Sequence, residues 1–392
     1  MCLSPISKPN PNYGSAIPWK DCKSQRLSIP CGYCPQCIAV KQMRYVQRIE
    51  MEAQKNYLFM CTLTYDNEHL PIYGVYSDPS RPDTPIPVKY SDVTHVQAMN
   101  KRLRQENSFG IPFRFAAVSE LGSKRGRPHF HILYLFEKKY FSSPFNLAEL
   151  KSFEQKHYFT PFNHWSVNIG TDRSPVYEPL SKYIVRRDSR SRTGYTSTYD
   201  FHFVYEPDSP NGVADVAFYV LKYMLKPSAR AVKLQQALKI NLPGEQYSHI
   251  WNTIKPRFFK SLGFGLNVKY NPRSRSKSSP DSDIIEHLQD GISTSLRNKH
   301  PYPEFFSPNT GLSFPLAPYY KDNDSIFTQQ DMLDFWSNSD PDSFSKVPLD
   351  HQTLYFKEQF DKANKLYSDF LRHNKQVDDN SEDIYFNDLF NN

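Results

Sequence analysis

The 392-residue sequence contains no apolar run approaching the roughly 18 residues of a membrane span, so no transmembrane helix is predicted. Its first residues, Met1-Cys2-Leu3-Ser4-Pro5, lack the charged-then-apolar pattern of a secretion signal, and a cytoplasmic location is expected. No internal repeat stands out. Cysteine is scarce, with 6 in the chain, and Cys61 lies apart from the rest. The other five, Cys2, Cys22, Cys31, Cys34 and Cys37, fall in the first 40 residues. In a reducing compartment, Cys-x2-Cys turns point to metal binding rather than disulfides. Cys31, Cys34 and Cys37 with Cys2 or Cys22 would complete a tetrahedral set, a candidate structural Zn²⁺ site. An iron–sulfur centre fits less well, because the usual fourth cysteine followed by proline is missing. Free thiols in a loop are the alternative.

The net charge of +7 conceals an asymmetry. Residues 1–280 carry 39 Lys and Arg against 21 Asp and Glu, net +18, whereas residues 281–392 carry 9 against 20, net −11. A basic body with an acidic tail suggests a polyanion as partner, most often nucleic acid. Three segments follow: a Cys-rich stretch over 1–40, a basic body over 41–277, and an acidic, Ser/Asp/Pro-rich region over 278–392. Short amphipathic pieces at Met332–Phe335 and Leu354–Leu371 leave the last segment partly helical or disordered, with little core of its own.

Within the body, Ala39 to Lys55 reads as a helix with an imperfect apolar face, and Tyr57 to Tyr65 as a buried strand. The proline-rich residues 71–90 read as a loop. Ser91-Asp92 is a plausible N-cap for a helix running to Arg104. Ile111 to Ser119 reads as a strand, followed by Glu120 and the basic loop Gly122-Ser-Lys-Arg-Gly126. Then comes Arg127-Pro-His-Phe-His131-Ile-Leu-Tyr-Leu-Phe136, a strand entered through Arg-Pro. Alternation along a strand places His129 and His131 on one face about 7 Å apart, with Phe130 on the other. Two strands joined by so short a loop are most simply an antiparallel hairpin, which brings the Glu120 carboxylate within reach of both imidazoles. Two His and one carboxylate leave positions open for water and a phosphate oxygen on a bound ion.

Residues 213–226 read as a helix ended by Pro227. Tyr219, Lys222, Tyr223 and Lys226 fall within one arc of about 100°, opposite Val213, Val220, Leu221, Met224 and Leu225. The segment Lys255–Lys277 interleaves basic residues with aromatics, as a nucleic-acid groove requires. Arg257 and Lys260 there, with Lys124, Arg125 and Arg127 around the loop, are the candidate DNA contacts.

With these motifs in view, the chain resembles the HUH endonucleases, in particular the rolling-circle replication initiators of gokushovirus-type single-stranded DNA phages. The resemblance rests on Met1-Cys-Leu-Ser-Pro5, Cys31-Gly-x-Cys-Pro-x-Cys37, Thr62-Leu-Thr-Tyr65-Asp-Asn, Arg127-Pro-His-Phe-His131 and Tyr219-x-x-Lys-Tyr-x-x-Lys226. It covers residues 1 to about 270. It implies an α+β fold, a five-stranded antiparallel HUH endonuclease sheet flanked by helices, with a Cys-rich N-terminal extension and a partly ordered acidic C-terminal tail. The histidines would lie on the central strand, under the tyrosine helix. It also implies that His129, His131 and Glu120 hold Mg²⁺ or Mn²⁺, that Tyr219 and Tyr223 are nucleophiles, and that Lys222 and Lys226 assist them. The expected activity is nicking and joining of single-stranded DNA at a replication origin in the cytoplasm of a host bacterium, with host replication proteins as further candidate partners. The competing reading is a non-cleaving, sequence-specific DNA-binding protein with a zinc-ribbon N-terminus.

Overall fold

The structure is a computed structural model that describes residues 6–11, 13–14, 24–29, 35–78, 81–122, 126–143, 145–187, 195–204, 213, 216–217, 219–221, 238–239, 242, 244–268, 270–271, 276–297, 303–308, 313–321 and 326–327. The chain divides into two compact units. One comprises residues 55–209, 219–261 and 372–392, and the other residues 1–54, 210–218 and 262–371. Cys2, Cys22, Cys31, Cys34 and the side chain of Cys37 lie outside the described residues, as do Lys124, Arg125, Lys222, Tyr223, Lys226 and the pieces 332–335 and 354–371. Among the described residues no helix is long and apolar enough to cross a membrane.

The first unit is built on five antiparallel strands: β1 (Asn56–Thr64), β2 (Phe113–Leu121), β3 (Pro128–Glu137), β4 (Tyr199–Phe203) and β5 (Phe258–Lys260). Their order across the sheet is β4-β1-β3-β2-β5, so β3 is central. The predicted hairpin is present as β2–β3, with the strand Phe113–Leu121 reaching two residues past its expected end. Glu120 is therefore inside the strand and directly opposite His129 rather than beyond it. The extension follows from the tight loop, in which the Gly122 N–H donates to the Arg127 carbonyl at 2.9 Å and keeps the ladder closed.

Alternation separates two chemically different faces. Phe59, Cys61, Leu63, Phe115, Ala117, Phe130, Ile132, Tyr134, Phe136, Tyr199, Phe201 and Phe203 share one core cluster. Phe59 stacks on Phe201 at 5.5 Å and meets Phe136 edge-on at 5.5 Å. Such pairs add roughly 0.5–1.5 kcal/mol each beyond their area burial, so this side makes a stiff support. Helices α2 (Val93–Gln105) and α3 (Leu147–His157) contribute Val96, Met99, Leu103 and Leu150 to the same cluster. Asp92 is the N-cap of α2, accepting from the Thr94 N–H at 2.9 Å.

The proline-rich stretch corrects the loop expectation. Ile72–Asp78 and Arg81–Lys89 form a two-stranded antiparallel ribbon with register shifts. Proline is excluded only where its missing N–H would serve a ladder bond, and an isolated ribbon has outer edges that accept it.

The second unit corrects the expectation that residues beyond 278 have little core. Helix α1 (Pro35–Lys55) and a helix at Ser282–Arg297 belong to it, with the antiparallel pair Glu304–Phe306 and Ser313–Pro315. Ile284, Leu288, Phe305, Phe314, Leu316 and Tyr320 are buried. The imperfect apolar face of α1 has a cause. Glu52 accepts the Gly265 and Asn267 N–H groups at 2.7 and 3.0 Å, Gln47 the Ala317 N–H at 2.9 Å, and Glu50 the Ser307 hydroxyl at 2.6 Å. Buried polar side chains are tolerated where each has such a partner.

Candidate metal and nucleophile site

The face of the sheet opposite the aromatic core carries the histidines. Register sets His131 beside Thr62 of β1 and Val118 of β2, and His129 beside Thr64 and Glu120. Both imidazoles turn Nδ1 toward a threonine hydroxyl: Thr62 Oγ1 lies 3.3 Å from His131 Nδ1, and Thr64 Oγ1 lies 3.0 Å from His129 Nδ1. A hydroxyl can donate to a bare Nδ1 or accept from a protonated one, so each threonine supports its ring in either tautomer. With Nδ1 engaged, the Nε2 atoms are the ones left to meet a ligand. His131 Nε2 is 3.1 Å from Glu120 Oε2. His129 Nε2 faces Gly122, where an added Cβ would come within 2.8 Å of it.

Electrostatics favour a neutral His129. Burial pushes its pKa down to about 4, against the opposing pull of Glu120, and His131 and Arg127 lower it further. A neutral imidazole is the form that can coordinate an ion. The donor set, two imidazoles and a carboxylate with a cradle at Gly122 that any side chain would fill, suits a divalent cation. Its spacing is open: the three donors do not all lie within 4.8 Å of one another. Among the described residues the one group of three that does is Asp66, Glu68 and His69. In that group Asp66 Oδ1 already accepts the Glu68 and His69 N–H groups at 3.0 Å each and lies 2.7 Å from His69 Nδ1. His69 Nε2 lies 3.2 Å from Glu178. Partial burial opposes protonation of His69, but the pairing with Asp66 and Glu178 outweighs it and raises its pKa. These contacts fasten the turn after β1.

Tyr219 is half-buried, and Val220 and Leu221 beside it are fully buried. Its ring stands edge-on to His131, with centroids 6.0 Å apart and planes at 73°. The helix residues that the sequence assigns to the apolar side are thus the buried ones, and Tyr219 is turned to the histidine face.

The remaining sequence candidates have structural partners. Arg127 donates to the Tyr65 carbonyl at 2.7 Å and to Asn67 Oδ1, strapping the entry of β3 to the end of β1. The Arg257 N–H donates to Ser119 Oγ at 2.8 Å and its guanidinium to the Asn252 carbonyl, which pins β5 against β2. Lys260 Nζ lies over the Phe258 ring at 5.4 Å. Sequence reasoning marks Thr62 and Thr64 only as structural or DNA-contacting residues and passes over Gly122. The signal is available for the threonines, since Thr-x-Thr on one strand and His-x-His on the next have the same two-residue period.

Residues 58–228 match the sequence profile of a family described as replication-associated protein ORF2, and this segment belongs to that family. The chain is 30% identical over 109 residues to the Replication-associated protein ORF2 of Spiroplasma virus 4, covering 27% of this chain and 31% of that protein. It is 29% identical over 116 residues to the Replication-associated protein ORF4 of Chlamydia phage 1, covering 28% of this chain and 25% of that protein. The match thus spans less than a third of either relative. No solved structure matches the chain.

Proposed function

We propose that this protein initiates rolling-circle replication of a phage genome by nicking single-stranded DNA at the origin and later rejoining the ends. The observation that carries the reading is the tyrosine ring held 6.0 Å from His131, whose Nε2 contacts Glu120 on the same sheet face. The names of the relatives and of the family agree with a replication role.

In this reading His129, His131 and Glu120 hold Mg²⁺ or Mn²⁺, and the bound ion polarises a nonbridging phosphate oxygen and neutralises developing charge. Tyr219 supplies the nucleophile. Its phenol loses a proton, the Oη–P bond forms as the P–O3′ bond breaks, and the 3′ oxygen takes up a proton. The products are a 5′-phosphotyrosine link and a 3′-OH that primes synthesis. A phenol with an ordinary pKa near 10 is a weak nucleophile at neutral pH, so holding it in line with the phosphate is the main contribution of the fold. Tyr223 serves as second nucleophile in the joining step, with Lys222 and Lys226 beside the phosphate. Lys124, Arg125, Arg257 and Lys260 complete a basic approach for the strand, and the N-terminal cysteines hold Zn²⁺. The setting is the host cytoplasm, and host replication proteins are further partners.

The test is incubation of the full chain and Mn²⁺ with labelled single-stranded origin DNA, read on a denaturing gel. A protein–DNA adduct is expected from the native chain and from Tyr219→Phe or Tyr223→Phe alone, and none from the double variant. An adduct from the double variant would remove the nucleophile assignment. Tight binding with no adduct from the native chain would favour the non-cleaving DNA-binding reading.

A further inference from the structure

Immediately before β4 the chain makes a second antiparallel ribbon, in which Val185, Arg186 and Arg187 pair with Ser197, Thr196 and Tyr195. Its root is fixed. The Thr198 N–H donates to the Ile184 carbonyl at 3.0 Å, the Ile184 N–H to Thr198 Oγ1 at 3.1 Å, and the Thr198 hydroxyl to the Lys182 carbonyl at 2.8 Å. Tyr183 packs edge-on against Phe159 at 5.1 Å. The next residue after Thr198 is Tyr199, which pairs with Leu63. Continuing the register one step places the root of the ribbon beside Thr64, the residue that contacts His129. The ribbon therefore leaves the sheet at the row that holds the histidine and Glu120.

Its surface is unusual for an arm that packs on nothing else. Val185 and Tyr195 are each 50% exposed, and both arginines are exposed and without an ion pair among the described residues. A two-stranded ribbon by itself is marginal in water, so its ordered root and apolar tip suggest a partner. Neighbouring residues on a strand point to opposite faces, which turns Arg186 to one side and Arg187 to the other. A flat acidic surface would meet only one of them. A DNA major groove admits a two-stranded ribbon and presents a phosphate wall on each side, so it meets both.

We infer that the 185–197 ribbon docks in the groove of duplex DNA flanking the cleavage point, with Arg186 and Arg187 on its two phosphate backbones. The position of the duplex next to the site rests on the proposed nicking reading; the duplex contact does not.

The experiment compares the full chain with Arg186→Ala/Arg187→Ala on two probes, a DNA stem-loop and an unstructured single strand of equal length, by fluorescence anisotropy over a series of salt concentrations. Neither residue lies in the proposed cleavage machinery, and thermal melting checks that the variant is folded. The expected result is at least a tenfold loss on the stem-loop, with the log–log salt slope shallower by about 1.8 for two lost phosphate contacts. Affinity for the single strand and adduct formation on it stay as in the native chain. Equal losses on both probes would overturn the inference in favour of a single-strand contact, and no loss on either would overturn it outright. Failure of the nicking reading shows separately, as no adduct from the native chain whatever the stem-loop result.

Discussion

Acidification should selectively weaken the sheet unit through His129. Between Thr64, Gly122 and the Glu120 strand, burial holds this imidazole at a pKa of about 4, whereas in the unfolded chain it returns to the ordinary value of 6.5. The direction of the linkage follows. Above pH 6.5 both states carry a neutral ring and His129 imposes no pH dependence. As pH falls below 6.5 the unfolded state takes up a proton that the folded state refuses, so stability declines until the folded ring also protonates near pH 4. The gap of about 2.5 units corresponds to about 3 kcal/mol at about 1.36 kcal/mol per unit. The assay is hydrogen exchange of the β3 amides, with a chelator present, in the native chain and in His129→Gln. Relative to that variant, the native chain should lose up to about 3 kcal/mol between about pH 6.5 and 4, while the two run parallel above about pH 7. Parallel behaviour over the whole range would mean that the ring is not desolvated where the structure puts it, and the case for a preformed neutral ligand would fall with it.

Two substitutions examine the surroundings of the imidazoles. Gly122→Ala places a methyl group 2.8 Å from His129 Nε2, so Mn²⁺ affinity measured by calorimetry should fall at least tenfold in a chain that melts near the native temperature; unchanged affinity would show that Nε2 of His129 is not a ligand atom. Thr62→Val and Thr64→Val keep the shape but remove the hydroxyl from Nδ1, and each should lower Mn²⁺ affinity about 10- to 100-fold, as loss of an outer-shell partner does, with Ser restoring it. Failure of Ser to rescue would assign the effect to packing instead.

The central part of the fold was legible because its signals are local and strong. An apolar run at Tyr57–Tyr65, an alternating hairpin around Gly122 and an Asp92 cap each name one element with little ambiguity, and β1, β2, β3 and α2 stand close to where the residues put them. What escaped depends on partners distant in sequence. Prolines at Pro82, Pro85 and Pro87 read as loop because their tolerance depends on which edge of a ribbon they face. The polar positions of α1 look like breaks in an amphipathic face, and only the backbone groups at Gly265, Asn267 and Ala317 explain them. For the same reason residues 282–321 read as tail: their apolar positions find cover only in company with a segment some 230 residues upstream.

The site itself follows from a single geometric fact, that residues facing each other across an antiparallel pair share a face. Once His129 and His131 lie on the central strand, the neighbours are compelled to supply either support or obstruction at each ring. Thr62 and Thr64 supply hydroxyls, Glu120 supplies a carboxylate, and Gly122 supplies nothing, which is what an incoming ligand needs at Nε2. Behind them Phe130 and Ile132 anchor the same strand in an aromatic cluster that does not yield. The histidines can thus be poorly protonated, closely oriented and still open on one side. A pair whose rings merely completed core hydrogen bonds would have no use for a glycine at the one open nitrogen or for a tyrosine standing over the other ring. The combination favours a site for a ligand over a satisfied polar core.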